Sequence, residues 1–167
     1  ERAPGTEFFV GASIMIPSTI ARVPEHTAEH VNQRIRRRAE ESVARAAAEG
    51  PEAVDRRLEE LDCEWDTERT IEAHAATVAL VGLGLGTFVD RRFYLLPAVV
   101  AGFLLQHAVQ GWYPALPILR RLGFRTAAEI AVERCALKAL RGDFQNVGFV
   151  DARTPARAAE ALRAAEL

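Results

Sequence analysis

Three glycines at alternate positions, Gly82, Gly84 and Gly86, lie in the run VALVGLGLGTFV at residues 78–89. Such glycines either approach a nucleotide phosphate or let two membrane helices come close. A dinucleotide site needs G-x-G-x-x-G between a strand and a helix, with an acidic residue about 20 positions further on. Here the pattern is G-x-G-x-G, the next acid is Asp90, and no turn signal ends a strand before Gly82. The sequence therefore favours helix packing over nucleotide binding.

Two pairs of histidines could in principle bind a metal or a cofactor. His74 and His107 each lie in an apolar run, where two imidazoles at one depth could ligate a metal, a haem or a chlorophyll-type magnesium. His26 and His30 have the i,i+4 spacing of a helical metal pair. The favoured interpretation is hydrogen bonding for the first pair and a solvated helix face for the second. No cofactor is therefore predicted.

Neither cysteine suggests a catalytic or metal site. Cys63 and Cys135 are far apart and form no C-x-x-C motif, which argues against a zinc site and against a disulfide framework. The sequence also shows no nucleophile–base pair and no phosphate loop. We therefore expect a protein that is not an enzyme.

Two apolar runs, Ala73–Val89 and Phe93–Val109, surround the three glycines and continue beyond the charged turn that contains Arg91 and Arg92. Each is about 17 residues long, the lower limit for a helix that crosses a bilayer. Trp112 follows the second run, as an aromatic residue at a headgroup interface would. The pattern predicts a transmembrane helical hairpin at residues 67–112. The alternative is the buried hairpin of a soluble all-helical protein.

The hairpin should pack through small residues. If the chain turns tightly near residue 91, Gly82 lies opposite Val99, and His74 lies opposite His107. Small-residue grooves then form from Gly82 and Gly86 on one helix and from Ala98 and Gly102 on the other.

The polar segment before the hairpin, residues 1–66, contains two predicted amphipathic helices separated by Gly50–Pro51. Their apolar stripes consist of Val31, Ile35, Ala39 and Val43 in the first helix and Val54, Leu58, Leu61 and Trp65 in the second. Asp66 or Thr67 should cap the helix that follows. The stripes must be buried against each other, the membrane surface or another protein, and association with a partner is favoured.

After the hairpin, Pro114 and Pro117 rule out continued helix, and residues 113–144 form an exit motif and one amphipathic helix. Thr126 and Glu129 have the spacing of a capping box for a helix that runs through Leu140 and ends at Gly142. The tail, residues 145–167, should contain a short helix after Thr154–Pro155.

Charge indicates an orientation rather than a nucleic-acid partner. The net charge is −2, so the arginines at 34 and 36–38 are interpreted as one end of a solvated helix, with Glu40 and Glu41 as i,i+4 partners. Arginines near the span ends are more numerous on the terminal flanks, at 56, 57, 69, 120, 121 and 125, than in the turn, where only Arg91 and Arg92 occur. This excess favours cytoplasmic termini.

The exit motif GWYPALPILRRLGFRT at 111–126 and the sequence ALKALRGDF at 136–144 carry a family resemblance. Together with the hairpin they resemble the YgaP-like inner-membrane domain family over about residues 70–144. Domains of this family are often found beside or fused to sulfur-transferring rhodanese domains. The family usually has Cys-Pro where this chain has Tyr113–Pro114, so the resemblance implies the membrane hairpin but supplies no reactive cysteine.

The sequence thus predicts an all-α integral membrane protein, with a two-helix transmembrane hairpin flanked by amphipathic helices, in the bacterial inner membrane. The favoured function is a non-catalytic accessory subunit, which docks on a larger membrane complex such as a respiratory or photosynthetic one. Its partners would be the lipid bilayer and other membrane-protein subunits, with self-association as a further option. The alternatives are a sulfur-transfer-associated membrane protein of the YgaP-like type and a small oligomeric transporter.

Overall fold

The computed structural model describes residues 18 and 20–145, together with Ala161 and Ala165. The regular secondary structure in this part of the chain is all helical, with no strand. A four-residue 3-10 turn, Arg91–Tyr94, separates α4 from α5. The helices are α1 (Arg22–Glu25), α2 (Glu29–Glu49), α3 (Pro51–Cys63), α4 (Thr67–Phe88), α5 (Leu95–Gln110), α6 (Leu116–Leu122) and α7 (Ala127–Arg141).

Local capping signals place several of these boundaries where the sequence predicts them. Gly50, at φ 107°, ends α2 and precedes Pro51 in the first turn of α3. The Asp66 carboxylate accepts a hydrogen bond from the Arg69 amide at 2.6 Å and so caps α4. Thr126 forms the expected capping box at the start of α7. These predicted caps are confirmed.

Helices α2, α3 and α7 pack together as a polar lobe with its own core. The core residues are Ala46, Val54, Leu58, Leu61, Ile130 and Leu137, with Val43 packed against them. The two apolar stripes before the hairpin are therefore buried against each other and against α7, within the chain. Of the options for these stripes, burial against each other is therefore confirmed, and α7 supplies a further apolar face. Association with a partner stays a prediction. Trp65 is the exception, since it is 46% exposed.

A second hydrophobic core lies at the end of the hairpin that is opposite the turn. We call this end of the hairpin the foot. Its buried residues are Val23 of α1, Ile71 of α4, Tyr113 and Leu116, and Phe103 of α5 is among those that pack against them. Four separate elements meet there, so the foot fixes how the hairpin joins the rest of the chain.

Helix α6 was not expected from the sequence. Gly111, at φ 80°, ends α5 before either proline, and Pro117 occupies the first turn of a new helix, where its missing amide donor has no cost. Gly123, at φ 103°, then ends this short helix.

Helices α4 and α5 pack closely through only one of the two predicted grooves. A Cβ atom at Gly82 would lie 2.7 Å from Pro97 Cδ, and one at Gly86 would lie 2.7 Å from the Tyr94 ring. Gly102, by contrast, has nothing within 4 Å of its Cβ position, and Ala98 is exposed. The prediction of a second groove at Ala98 and Gly102 is wrong, because large α5 residues enter the glycine notches of α4.

The register of the pair also differs slightly from the expected one. Gly82 lies against Leu96 and Pro97 rather than opposite Val99. The connection between α4 and α5 accounts for this difference. Residues 91–94 form a 3-10 helical turn, whereas the expected register assumed a tight turn near residue 91.

Two helical stretches are long and apolar enough to cross a membrane. They lie within Pro51–Phe88, which includes α4, and within Arg91–Gln110, which includes α5. These stretches are consistent with a membrane protein, although length and composition alone are weak evidence of it. The tail helix predicted after Thr154–Pro155 lies outside the described residues, except that Ala161 and Ala165 are helical.

Candidate functional site at the foot of the hairpin

Helix α1 closes the carboxyl end of α5. Arg22 donates a hydrogen bond from Nη1 to the Ala108 carbonyl at 3.0 Å, and His26 Nε2 lies 2.9 Å from the Gln110 carbonyl. The last carbonyls of a helix have no partner within it, and a nearby cation complements their partial negative charge. Gly111 allows the close approach, since a Cβ there would lie 2.5 Å from the Arg22 carbonyl oxygen. Residues 22–26 therefore act as a cap for α5.

His26 and His30, which were expected on one helix, belong to two different elements. His26 lies at the carboxyl end of α1, whereas His30 is exposed within α2, and Thr27–Ala28 stand between the two elements. The assignment of both to one helix is wrong, because the chain bends at Thr27. Within the described residues, no group of three or more His, Cys, Asp or Glu side chains could hold a metal ion.

Tyr113 brings together His74 and His107. The Tyr113 hydroxyl lies 3.4 Å from His74 Nδ1, and both imidazoles stand edge-on to its ring, at centroid distances of 6.2 Å for His74 and 6.1 Å for His107. Burial raises the pKa of Tyr113, so the phenol is protonated at neutral pH and can donate to His74.

His107 is the one histidine of the cluster that is enclosed. It is 6% exposed, and neither ring nitrogen has a hydrogen-bond partner within the described chain. A buried imidazole usually has at least one partner, which can be a water molecule. The arrangement could therefore hold one small polar ligand, and the weak cofactor assignment of His74 and His107 stays a prediction.

The expected interface residues fall at opposite ends of the hairpin. Trp112 is half-buried at the foot, where its ring stands edge-on to Phe103 at 6.2 Å. Arg91 and Arg92 are exposed in the 3-10 turn. Both positions suit a bilayer boundary, as expected for aromatic and basic residues that flank a span.

Arg125 ties the lobe to the start of α4. Its carbonyl accepts hydrogen bonds from the Thr67 amide at 2.7 Å and from the Thr67 hydroxyl at 2.9 Å. Its guanidinium bridges Glu64, with Nε at 2.7 Å from Oε1, and Glu133 of α7. Glu133 also accepts from Arg57 Nε at 2.9 Å, so one ion-pair network joins α3 and α7 through Arg125, and the Thr67 hydrogen bonds attach α4 to it.

Arg120 performs the same task for α6. Its guanidinium donates twice to the Glu129 carboxylate, at 2.6 and 2.7 Å, and also to Thr27, to Asn32 and to the Phe124 carbonyl. The side chain is fully buried, and these five bonds use the five donors of a guanidinium. Arg120 thereby links α6 and α7 to the junction of α1 with α2.

The pKa values of Glu133, which is buried, and Glu129, which is half-buried, show whether burial or hydrogen bonding dominates. Burial alone would raise the pKa of Glu133, but the hydrogen bonds from Arg57 and Arg125 outweigh it and the pKa is lowered. For Glu129, burial is likewise outweighed, here by the Arg120 hydrogen bonds, and the pKa is lowered. Both carboxylates are therefore ionised in the folded chain at neutral pH.

Sequence reasoning missed this network. Arg120 and Arg125 were interpreted only as positive charges near a span end. The partners of Arg125 are Glu64, just after α3, and Glu133 of α7, which lie 61 and 8 residues away along the chain. The capping box offered the one local signal, since the same Glu129 carboxylate that completes the box also binds Arg120.

Comparison of the chain with protein-family models, with curated proteins and with solved structures finds no match. The resemblance to the YgaP-like family therefore stays a prediction from the residues that carry it.

Proposed function

We propose that this protein is a non-catalytic, membrane-anchored accessory subunit of a larger bacterial membrane complex. One observation carries the proposal: an apolar hairpin with most of its surface uncovered is joined firmly to a polar lobe that is packed and paired internally.

The hairpin is not buried as a soluble core would be. Only 22% of the apolar window that ends in α4 and 11% of the one in α5 are buried within the chain. Exposed apolar side chains continue along both helices, among them Leu80, Val81, Phe88, Leu95, Val99 and Leu105. A contiguous apolar surface of this kind is covered by lipid or by another protein.

The buried charges support a structural role. Arg120, Arg125 and Glu133 are almost fully buried, and each is paired with a group on another helix. Charges held in this way fix the relative positions of helices and are not turned toward a substrate. In the same way, Tyr113 is buried in the place of the family's usual cysteine, which weighs against the sulfur-transfer alternative.

The proposal has two separable tests. The first is extraction of native membranes with alkaline carbonate: we expect the full chain to stay in the membrane pellet, and recovery in the supernatant would overturn membrane anchoring.

The second is purification in mild detergent, with the mass of the particle and its composition measured. A particle with fixed stoichiometry of this chain and other subunits is expected, whereas a monodisperse single-chain particle from native membranes would overturn the accessory role.

A further inference from the structure

Helix α6 has one buried face and one uncovered apolar face. Leu116 and Arg120 are buried at 0% and 1% exposure, whereas Ile118 and Leu122 are 61% and 68% exposed. The exposed pair is four residues apart, so both side chains project on one side of the helix. Arg121 is exposed beside them.

The position of α6 relative to the hairpin is fixed. Only five residues separate the end of α5 from the start of α6. Leu116 and Tyr113 pack with Ile71 of α4 in the foot core, and Phe103 and Leu104 of α5 pack against the same cluster. The exposed face of α6 therefore lies beside the ends of both apolar helices.

Unpaired arginines border this face. A Cβ atom at Gly123 would lie 2.9 Å from Arg38 Nη1, so Arg38 of α2 reaches the end of α6 next to Leu122. Arg34 lies one turn earlier on the same side of α2, and both are exposed. Arg34, Arg38 and Arg121 form no ion pair within the described chain, in contrast to Arg120, whose donors are all used.

We propose that the exposed face of α6 and the arginines beside it bind the anionic phospholipid headgroups of the bilayer that receives the hairpin. We call this face the foot surface, and it consists of Ile118, Leu122, Arg121, Arg34 and Arg38. The inference rests on the proposed membrane anchoring.

Anionic lipid fits both halves of the foot surface. The apolar pair enters the boundary between headgroups and acyl chains, as the apolar face of an interfacial helix does. Guanidinium groups donate paired hydrogen bonds to phosphate oxygens. Because the surface is continuous with the foot of the hairpin, a bilayer that contains α4 and α5 brings its headgroups to this surface.

The experiment uses the full chain in lipid nanodiscs of phosphatidylcholine alone or of phosphatidylcholine with phosphatidylglycerol. Cys63 and Cys135 are replaced by serine, and a Leu122→Cys variant is labelled with an uncharged polyethylene-glycol maleimide. We expect labelling to slow by up to about a hundredfold when phosphatidylglycerol is present, since each of the three arginines near an anionic surface contributes a factor of about five. The combined changes Arg34→Gln, Arg38→Gln and Arg121→Gln should abolish this lipid dependence, and so should high salt.

Three controls make the result decisive. Arg45→Gln alters an exposed arginine further along α2 and should leave the lipid dependence intact. A chain that keeps only Cys135, exposed on α7, should label at one rate in both lipids. A Val99→Cys variant reports on the exposed middle of α5, and it should resist labelling in both.

The outcomes separate the two proposals. If the Val99→Cys variant labels readily, the hairpin is not in the bilayer, and both the anchoring and the foot surface are overturned. If Val99→Cys is protected but Leu122→Cys labels equally in the two lipids, at either a fast or a slow rate, the anionic-lipid surface alone is overturned.

Discussion

Arg120 and Arg125 are buried charges, and such charges are stable only when their partners are held in place. Each guanidinium binds carboxylates from other elements, so the cost of removing it from water is offset by well-placed hydrogen bonds. Loss of one partner would leave the other charge buried and unpaired. The network is therefore the place where single substitutions act most strongly on the lobe.

We expect Glu133→Gln to destabilise the lobe by about 3 kcal/mol, because Arg57 and Arg125 would lose the carboxylate that they share. The matched control is Glu60→Gln. Glu60 also pairs with Arg57 but is about half exposed, so its loss should cost less than about 1 kcal/mol. Thermal unfolding followed by far-UV circular dichroism in mild detergent measures both. Equal midpoints for the two variants would contradict the assignment.

The same network predicts a dependence of stability on pH. The folded-state pKa values of Glu129 and Glu133 are lowered, from an ordinary value of about 4.3. The stability that they contribute is therefore fully present above the ordinary value and is lost as the pH falls from there through the lower folded-state pKa. Midpoints measured between neutral pH and the acid range should fall steeply at the acid end, and Glu133→Gln should flatten that fall. An unchanged slope in the variant would contradict the prediction.

None of these pairings was predictable from local spacing. Sequence spacing indicates only which charges are neighbours on the same helix. On that basis Arg36 and Arg37 were interpreted as partners of Glu40 and Glu41, four residues further on. Within the described residues those pairs form no ion pair. The pairs that do form join helices, and their existence depends on tertiary packing.

At the scale of elements, α4 and α5 meet through an asymmetric contact, with large α5 residues in glycine notches of α4. A methyl group added at Gly82 would approach Pro97 Cδ to 2.7 Å and Leu96 Cβ to 2.9 Å, atoms that cannot move without the α5 backbone. At Gly86 the added atom would meet the Tyr94 ring, which is 42% exposed and can swing outward.

We therefore expect Gly82→Ala to destabilise the hairpin by about 1 to 3 kcal/mol, the usual cost of overpacking. Gly86→Ala should cost less, and Gly84→Ala, which has nothing within 4 Å, should be neutral or slightly stabilising through better helix propensity. Resistance of the hairpin to unfolding by a denaturing detergent measures the three. A uniform response would show that the notch at Gly82 does not hold the pair.

The ends of helices were predictable where two or three neighbouring residues form a recognisable capping motif. Asp66, Thr126 with Glu129, and the glycines at 50 and 142 fixed helix ends that the structure reproduces. Helix α6 escaped prediction because Pro117 was interpreted as a residue that breaks a helix, whereas it lies in the first turn of one, a position that proline tolerates. The groove predicted at Ala98 and Gly102 was wrong for a different reason. These small residues show that one face of α5 is narrow, but their spacing does not show whether that face contacts α4.

At the scale of the whole molecule, the lobe and the hairpin are joined at several points around the foot. Arg22 and His26 hold the end of α5, Thr67 bonds to the Arg125 carbonyl, and Arg120 fixes α6 against α2 and α7. With this many connections, the lobe follows the hairpin as one body. An anchor built in this way can hold its polar lobe in a defined orientation at the membrane surface.

That orientation is the last prediction. If the hairpin spans a bilayer as proposed, both of its ends that face the lobe lie on one side, and the foot carries exposed arginines at 34, 38 and 121, against Arg91 and Arg92 in the turn. Basic residues near span ends are retained in the cytoplasm, so we expect the lobe to be cytoplasmic and the turn to be outside. A membrane-impermeant thiol reagent applied to intact cells should label an Arg91→Cys variant that lacks native cysteines, and should not label a chain that keeps only the exposed Cys63. Permeabilised cells, in which both positions should react, control for accessibility. Labelling of Cys63 without labelling at position 91 would place the lobe on the outer side and reverse the assignment.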